Sequence, residues 1–251
     1  ANLKTGCFIS GYRGSPLGAY DMALWQAQKF LANNEIQFQP GVNEDLAATA
    51  IWGTQQLNLL EKSDYDGVFG IWYGKGPGVD RCGDVFKHAN AAGTSPHGGV
   101  LALMGDDHTA KSSTLAHQSE YAMMDAMIPI LSPSGVQEFL DLGLHGFAMS
   151  RFSGCWTGFK CVTMTVDSSA SVYVDPHRVN IKAPHEFHLP DGGLNIRWPD
   201  VQLEQETRLH NFKLAAAQAY ARSNQLDQIV INKGPAKLGI VAAGKSYLDV
   251  R

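Results

Sequence analysis

The stretch that decides the fold runs Gly11-Tyr-Arg-Gly-Ser-Pro-Leu-Gly18 and is followed, after a helical segment, by Pro40-Gly-Val-Asn-Glu-Asp45. The first run follows the apolar segment Cys7–Ile9, and the second follows Ile36–Phe38. Short apolar strands that end in glycine-containing loops and alternate with helices are typical of a parallel α/β sheet. Because the carboxyl ends of parallel strands meet at one edge of the sheet, the two loops predict a ligand cleft at that edge.

The same alternation of strand and helix continues to about residue 166. The predicted strands are Cys7–Ser10, Ile36–Gln39, Gly67–Trp72, Gly99–Met104, Pro129–Ser132 and Cys161–Val166. Helical spacing of apolar residues predicts helices over Asp21–Asn33, from Asn43 to about Leu60, and over Asp80–Ala92, Tyr121–Met127 and Gly135–Ser150. We therefore predict an α/β fold with a mostly parallel sheet, right-handed crossovers and helices on both faces.

After Ser168 the alternation of strand and helix patterns stops and prolines become frequent, and this change predicts the domain organisation. Residues 1–174 form the α/β domain, and residues 175–236 form a proline-rich extended arm followed by a linker helix over Leu203–Ser223. Residues 237–251 begin a second α/β domain, with its first strand at Lys237–Ala243. We expect the chain to be a fragment of a longer protein.

Composition excludes several classes of function. The 251 residues carry a net charge of -4, which gives no electrostatic reason to bind nucleic acid or an anionic membrane surface. No run approaches the roughly 20 apolar residues that a membrane-spanning helix needs. The four cysteines are scattered, which fits free thiols in a cytoplasmic protein better than an iron–sulfur cluster, whose thiolates are closely spaced.

Glu44 is the sharpest candidate for a functional residue. It lies in the first turn of a predicted helix, beside a bend at Gly41 and at the carboxyl end of a predicted strand. An acid at a helix start is also favoured by the helix dipole alone, so the segment leaves both interpretations open. Its neighbour Asp45 fits the simple dipole acid. The run from Gly11 to Gly18 lacks the spacing of a dinucleotide fingerprint or a P-loop, which excludes both.

Two further segments carry residues capable of chemistry. The loop Lys75-Gly-Pro-Gly-Val-Asp-Arg81 holds two cations that suit an anionic substrate, although a solvated loop explains them equally well. Asp106, Asp107, His108 and His117 have the side chains of a metal site, without the i, i+4 histidine pair of a helical zinc motif. A polar loop over the sheet edge is the competing interpretation of this second segment.

Five motifs together resemble the start of the bacterial single-chain indolepyruvate ferredoxin oxidoreductases, which are thiamine diphosphate-dependent 2-oxoacid:ferredoxin oxidoreductases. They are Phe8–Gly18, Gly41–Ala50, Gly70–Arg81, Gly105–Ser113 and Gly193–Pro199. The resemblance spans essentially the whole chain and implies a pyrimidine-binding domain of the thiamine diphosphate type. It also implies oxidative decarboxylation of an aryl 2-oxoacid to an acyl-coenzyme A, with electrons passed to ferredoxin.

The resemblance assigns roles to particular residues. Glu44 matches the catalytic glutamate that hydrogen-bonds the aminopyrimidine ring of the cofactor, and Ser15 matches a hydroxyl near the reacting carbon. Gly14, Pro16 and Gly41 complete the expected cofactor-binding set. Four residues are weaker expectations for contacts with the substrate or the cofactor edge: Arg13, Lys75, Arg81 and His108.

Other parts of the family pattern are missing from this chain. Neither Gly105-Asp-Asp107 nor Gly192-Gly193 reproduces the Gly-Asp-Gly motif that holds magnesium and diphosphate, and the cluster cysteines are absent. The resemblance thus implies that Mg²⁺ and a [4Fe-4S] cluster are held outside these residues, in a cytoplasmic homodimer. We expect the isolated chain to be inactive. The rival hypotheses are a metal-dependent hydrolase using Asp106, Asp107, His108 and His117, and a non-catalytic interface domain.

Overall fold

A computed structural model describes residues 3–232 and 234–251 of the chain. Its centre is a six-stranded sheet in the order β2-β1-β3-β4-β6-β5, with every neighbouring pair parallel. The strands are β1 (Thr5–Gly11), β2 (Ile36–Phe38), β3 (Gly67–Lys75), β4 (Val100–Asp106), β5 (Ile130–Leu131) and β6 (Thr157–Val162). The predicted α/β class with a parallel sheet is confirmed.

Helices cover both faces of the sheet. The helices are α1 (Gly18–Gln26), α2 (Gln28–Asn33), α3 (Glu44–Thr54), α4 (Gly76–Arg81), α5 (Gly83–Ala92), α6 (Glu120–Asp125), α7 (Val136–Ser153), α8 (Thr163–Val166), α9 (Gln202–Arg208), α10 (Leu214–Ser223) and α11 (Lys245–Val250). A short 3₁₀ turn lies at Leu57–Leu59, and a π-helical segment at Leu209–Lys213 joins α9 to α10.

Strand β3 shows why the sheet needs covering on both faces. Its neighbouring side chains Trp72 and Tyr73 point to opposite faces, and both are fully buried. Trp72 belongs to the core layer formed with α3, α4 and α5, whereas Tyr73 belongs to the layer formed with α1, α7 and α10. A strand that is buried on both faces has a continuous apolar sequence, and β3 shows this pattern.

The strand order places a topological switch point between β1 and β3. The chain leaves β1 for its outer neighbour β2 and then returns to the other side of β1 as β3. The backbone N–H of Tyr12 donates to the carbonyl of Tyr73 across this point at 3.1 Å. In open α/β sheets, the crevice outside the carboxyl ends at a switch point is where ligands bind.

Some predicted boundaries were wrong. The segment predicted as a strand over Cys161–Val166 is strand only to Val162, and α8 follows; the strand begins earlier, at Thr157. All six residues of β6 are buried, so the strand lacks the alternation that would have marked its limits. The helix predicted to reach Leu60 ends at Thr54, and the segment predicted over Asp80–Ala92 begins at Gly76 and divides into α4 and α5 around Cys82.

Between α8 and α9 the chain forms the predicted extended arm. Leu194 and Ile196 anchor this arm by burying their side chains, and the backbone N–H of Ile196 donates to the carbonyl of Thr94 at 3.0 Å. Residues 237–243, predicted as the first strand of a second domain, have no ladder partner within the described part of the chain. The domain limits at 174 and 236 therefore stay a prediction.

The four cysteines are free thiols, as predicted. Cys82, Cys155 and Cys161 are buried, and Cys7 is half-buried. Burial raises the pKa of Cys155 to about 11, with the Lys213 ammonium acting in the opposite direction. Such thiols are poor nucleophiles at neutral pH.

No helix among the described residues combines the length and apolar character needed to cross a membrane.

Candidate functional site

Ser15, Lys75, Asp107 and Ser112 form a hydrogen-bonded cluster at the switch-point edge of the sheet. The Ser15 hydroxyl donates to Asp107 Oδ2 at 2.6 Å, and the Lys75 ammonium donates to Ser15 Oγ at 3.1 Å. Ser112 Oγ lies 2.7 Å from Ser15 Oγ and 2.8 Å from Lys75 Nζ. Loops that follow β1 and β4 and the last residue of β3 thus meet at one point. We call this group the serine–lysine cluster.

Asp107 is the buried anion of the serine–lysine cluster. Besides Ser15, it accepts hydrogen bonds from the backbone N–H of Lys111 at 2.7 Å and from the hydroxyls of Thr109 and Thr163. Burial by itself raises the pKa of Asp107, but the hydrogen bonds and the Lys75 charge outweigh burial and hold the pKa well below its usual range. Asp107 is therefore ionised at neutral pH.

Lys75 is the buried cation of the same cluster. Its Nζ lies 3.5 Å from Asp107 Oδ2, and its side chain is almost fully buried. Gly14 allows the preceding loop to pass close by, since a Cβ at that position would lie 3.2 Å from Lys75 Cβ. The cluster thus holds the Ser15 hydroxyl in one orientation, with its O–H donating to Asp107 and its oxygen facing Lys75 and Ser112.

Glu44 is the first residue of α3, as predicted. The side chain of Asn43 caps the helix by accepting from the backbone N–H of Leu46 at 2.9 Å. The indole N–H of Trp72 donates to the Glu44 backbone carbonyl at 3.1 Å and ties the helix start to β3. Within the described residues, the half-buried Glu44 carboxylate accepts no hydrogen bond. It is therefore an acid at the strand edge that is available to a ligand.

Two glycines let backbone approach the Glu44 side chain closely. A Cβ at Gly78 would lie 2.4 Å from Glu44 Cγ and 2.6 Å from Oε1, and one at Gly74 would lie 3.4 Å from Cγ. Gly41 makes a similar close approach, because its Cβ would lie 2.7 Å from the Asn43 carbonyl oxygen. The Gly41 N–H also donates to the Gly11 carbonyl at 2.8 Å, which holds the ends of β1 and β2 together.

The structure places Glu44 and the serine–lysine cluster on opposite faces of the same sheet edge. Gly74, against which Glu44 packs, shares a face with Trp72, whereas Lys75 shares a face with Tyr73. The C-terminal end of β3 therefore separates the two groups. Of the predicted cofactor residues, Pro16 lies on the cluster side, where its Cδ would be 3.1 Å from a Cβ at Gly105.

The other predicted substrate contacts lie outside the serine–lysine cluster. Arg81 forms an exposed ion pair with Asp45, with Arg81 Nε 3.1 Å from Asp45 Oδ2. Arg13 and His108 are exposed. Lys75 is therefore the one of the four that the fold joins to Ser15.

The alternative of a metal cluster at Asp106, Asp107, His108 and His117 is wrong. Asp106 points to the opposite face from Asp107, where it pairs with Lys160 and accepts from the Ser119 hydroxyl at 2.6 Å. His117 Nε2 lies 2.9 Å from Asp80 Oδ2 instead. In residues 3–232 and 234–251, no group of three or more potential ligands converges on one point. Each acid is neutralised by a cation, and neighbouring residues on a strand face opposite ways.

Sequence reasoning missed Asp107, Ser112 and Lys160 as partners in these networks. The sequence did contain a pattern that could have indicated these partners, because Lys75 and Lys160 each lie in an otherwise apolar strand. A lysine buried in this way needs a carboxylate partner. The end of β4, which neighbours both strands, supplies Asp106 and Asp107.

Comparison with known proteins agrees with the motifs. No family model matches the chain. The chain is similar to the indolepyruvate oxidoreductase subunit IorA of Methanothermobacter thermautotrophicus, with 23% identity over 211 residues. The aligned part covers 84% of this chain and 32% of that protein, so the chain spans about a third of the relative's length. This distant similarity supports a relationship with the 2-oxoacid:ferredoxin oxidoreductases.

Proposed function

We propose that this chain supplies the aminopyrimidine-activating half of a thiamine diphosphate site in an oxidoreductase acting on aryl 2-oxoacids. The observation that carries the proposal is the Glu44 carboxylate, which is half-buried, unpaired within the described residues and located at the carboxyl edge of a parallel sheet. The distant similarity to the IorA subunit supports the same class of reaction.

The surroundings of Glu44 fit the pyrimidine end of this cofactor. A lone carboxyl group can hydrogen-bond a ring nitrogen, and the glycine at 78 leaves room for the Glu44 side chain to lie close against the backbone. When bound, thiamine diphosphate supplies the nucleophilic carbon and accepts the electron pair that decarboxylation releases. Glu44 would hold a proton at its carboxyl oxygen and exchange it with the ring nitrogen.

The serine–lysine cluster suits the carboxylate end of a 2-oxoacid. Asp107 neutralises the buried Lys75 charge, and Lys75 in turn orients the hydroxyls of Ser15 and Ser112, which lie within 3.1 Å of its ammonium. A charge-assisted hydrogen bond in a desolvated site is roughly twice as strong as a neutral one. These groups would orient the substrate, while Glu44 would serve the cofactor from the other face of the sheet edge.

The remaining requirements of this reaction are proposals for the whole protein. They are ligands for Mg²⁺, the diphosphate and a [4Fe-4S] cluster outside these residues, coenzyme A as acyl acceptor, ferredoxin as electron acceptor, a homodimer and a cytoplasmic location.

The decisive experiment compares Glu44→Gln with wild type in the intact protein that contains this chain. Arylpyruvate-dependent reduction of a low-potential dye is followed with thiamine diphosphate, magnesium and coenzyme A present. Loss of the acid should lower turnover by about 10²–10⁴-fold, which is the scale of a general acid–base contribution. Asp45→Asn removes the adjacent exposed acid and should leave turnover nearly unchanged.

Near-wild-type turnover in Glu44→Gln would show that Glu44 is only a helix-start acid. That result would also favour the rival hypothesis of a non-catalytic interface domain. Unchanged melting temperatures of both variants would show that any loss of turnover is chemical and not a loss of folding.

A further inference from the structure

A cavity of about 340 Å³ opens beside the ends of β1 and β2, on the face that carries α1. It is lined by Gly11, Tyr12, Arg13, Asp21, Trp25, Pro40 and Gly41. Its volume is at the small end of the range of about 300–1,000 Å³ for ligand sites, and it is open to solvent and not enclosed. Glu44 and the serine–lysine cluster are not among its lining residues, whereas Gly41 and Arg13, expected from the sequence to contact cofactor or substrate, are.

Asp21 is the unusual residue of this cavity. It is 4% exposed, and its carboxylate accepts a hydrogen bond from the Tyr73 hydroxyl at 2.6 Å. Burial and this hydrogen bond to Asp21 raise the pKa of Tyr73, and the Arg13 charge opposes them only weakly, so Tyr73 stays protonated and keeps donating. Within residues 3–232 and 234–251, the Asp21 carboxylate forms no ion pair.

A buried carboxylate without an ion-pair partner is costly, and the Arg13 charge, which acts on Tyr73 without contacting Asp21, compensates this cost only in part. The N-terminal end of α1 offers Asp21 a partial positive field, which is worth less than a full charge. Serving as a hydrogen-bond acceptor for Tyr73 leaves one carboxylate oxygen without a side-chain donor. The cavity that Asp21 lines is therefore suited to a ligand with a cationic nitrogen.

The other walls of the cavity specify the rest of the ligand. Trp25 is 50% exposed and is held in place by an edge-to-face contact with Phe38, with ring centroids 5.2 Å apart. Tyr12, also exposed, is a second aromatic wall. The exposed Arg13 lines the same cavity and, in the described part of the chain, forms no ion pair. The cavity thus combines one anion, one cation and aromatic surface.

We propose that this cavity binds a zwitterionic α-amino acid with an apolar side chain, whose ammonium meets Asp21 and whose carboxylate meets Arg13. The side chain packs against Trp25 and Tyr12. A simple amine would leave Arg13 unpaired and meet its repulsion, and a simple carboxylate would meet the repulsion of Asp21. The zwitterion satisfies both charges, and this inference does not depend on the proposed function.

Three matched probes test the charges one at a time: L-phenylalanine, phenethylamine, which lacks the carboxylate, and phenylpyruvate, which lacks the ammonium. Binding to the intact protein is measured by calorimetry. L-phenylalanine should bind saturably, and Asp21→Asn should weaken it by at least about tenfold, the scale for loss of a hydrogen bond to a charged group. Arg13→Gln should weaken the binding of L-phenylalanine, and it should leave the binding of phenethylamine unchanged or make it tighter. Glu44→Gln should leave L-phenylalanine binding unchanged.

Two controls keep the test decisive. Asp84→Asn removes an exposed acid from the first turn of α5 and should leave L-phenylalanine binding unchanged. Asp21→Asn retains an acceptor for Tyr73, so its melting temperature should equal or exceed that of wild type. A large fall in melting temperature would mean that Asp21 has an internal cation, and the inference would be wrong.

Two binding results would also overturn the inference. One is L-phenylalanine binding that is absent or indifferent to Asp21→Asn. The other is phenylpyruvate binding that is as tight as that of L-phenylalanine and equally sensitive to Asp21→Asn.

Discussion

The Lys75 ammonium at the end of β3 lies 3.5 Å from Asp107 Oδ2 just beyond the end of β4, and both groups hydrogen-bond the Ser15 hydroxyl. Asp106 lies one residue earlier and pairs with Lys160 of β6 on the opposite face. The end of β4 thus carries two buried acids, each neutralised by a lysine from a different neighbouring strand. Because each acid and its lysine are buried, removing either partner leaves the other charge uncompensated.

Asp107→Asn should destabilise the protein by roughly 3–5 kcal/mol at pH 7, because it leaves Lys75 buried without its anion. The pKa of Asp107 is depressed in the folded state, so its contribution is fully present above the unfolded pKa of about 3.9. It is lost as pH falls from about 5 toward the folded pKa. Denaturant unfolding of wild type and Asp107→Asn, measured from pH 7 down to about 3.5, should show that the difference between their free energies of unfolding becomes smaller.

The exposed pair of Asp45 and Arg81 provides the control for that measurement, since Asp45→Asn should change stability by less than about 1 kcal/mol. An Asp107→Asn deficit that stays constant over this pH range would contradict the assigned pKa direction.

Lys160→Met should also destabilise the protein by about 3–5 kcal/mol, because two carboxylates, Asp106 and Glu120, lose their shared cation. Lys87 forms an exposed pair with Asp125, so Lys87→Met should cost no more than about 1 kcal/mol. The double variant Lys160→Met/Asp106→Asn should recover part of the loss, since a single mutant leaves a buried charge uncompensated. Thermal or urea unfolding measures the stability of the three variants. Equal losses of stability in Lys160→Met and Lys87→Met would contradict the prediction.

Under the proposed function, Gly78→Ala should lower thiamine diphosphate-dependent turnover by at least tenfold, because the added methyl group takes the space of the Glu44 side chain. Overpacking at this point should also cost about 1–3 kcal/mol of stability. Gly83→Ala is the matched control, since nothing lies within 4 Å of a Cβ there. Its effect on turnover should be negligible. Wild-type turnover in Gly78→Ala would show that the position of the Glu44 carboxyl group is unimportant.

The free energy of unfolding of wild type, relative to that of Lys213→Met, should rise as the pH becomes alkaline. The Lys213 side chain is fully buried and donates to the carbonyls of Asn90 and Ala91 at the end of α5. Burial lowers its folded pKa to about 8, below an unfolded value of about 10.4. Between these values the unfolded state binds more protons, so unfolding becomes harder as pH rises.

The size of this effect is about 3 kcal/mol between pH 8 and 10.5, from the 1.36 kcal/mol carried by each pKa unit. Urea unfolding of the two proteins measures it, and taking the difference cancels the titration of those cysteines and tyrosines that do not interact with Lys213. A difference that falls over this interval would show that Lys213 is not destabilised by burial.

The local parts of the fold could be predicted because their causes are local. Asn43 signals the start of α3 through its capping side chain, and apolar runs mark β3 and β4. The end of β6 and the start of α8 could not be placed, because a strand buried on both faces has no alternation to mark its limits. The position of Glu44 at a strand edge was predictable for the same local reasons.

The sequence by itself determined the parallel α/β class and the two loops that meet at the sheet edge, because strand periodicity and helix caps depend on neighbouring residues. Only the tertiary structure decided that Lys75 meets Asp107 while Lys160 meets Asp106. Strand order sets which residues 32 or 54 positions apart come together. Strand pleating sets the face of the sheet to which each side chain points. Strand order and pleating together place Glu44 and Ser15 on opposite faces and keep Asp106 and Asp107 from binding one metal ion.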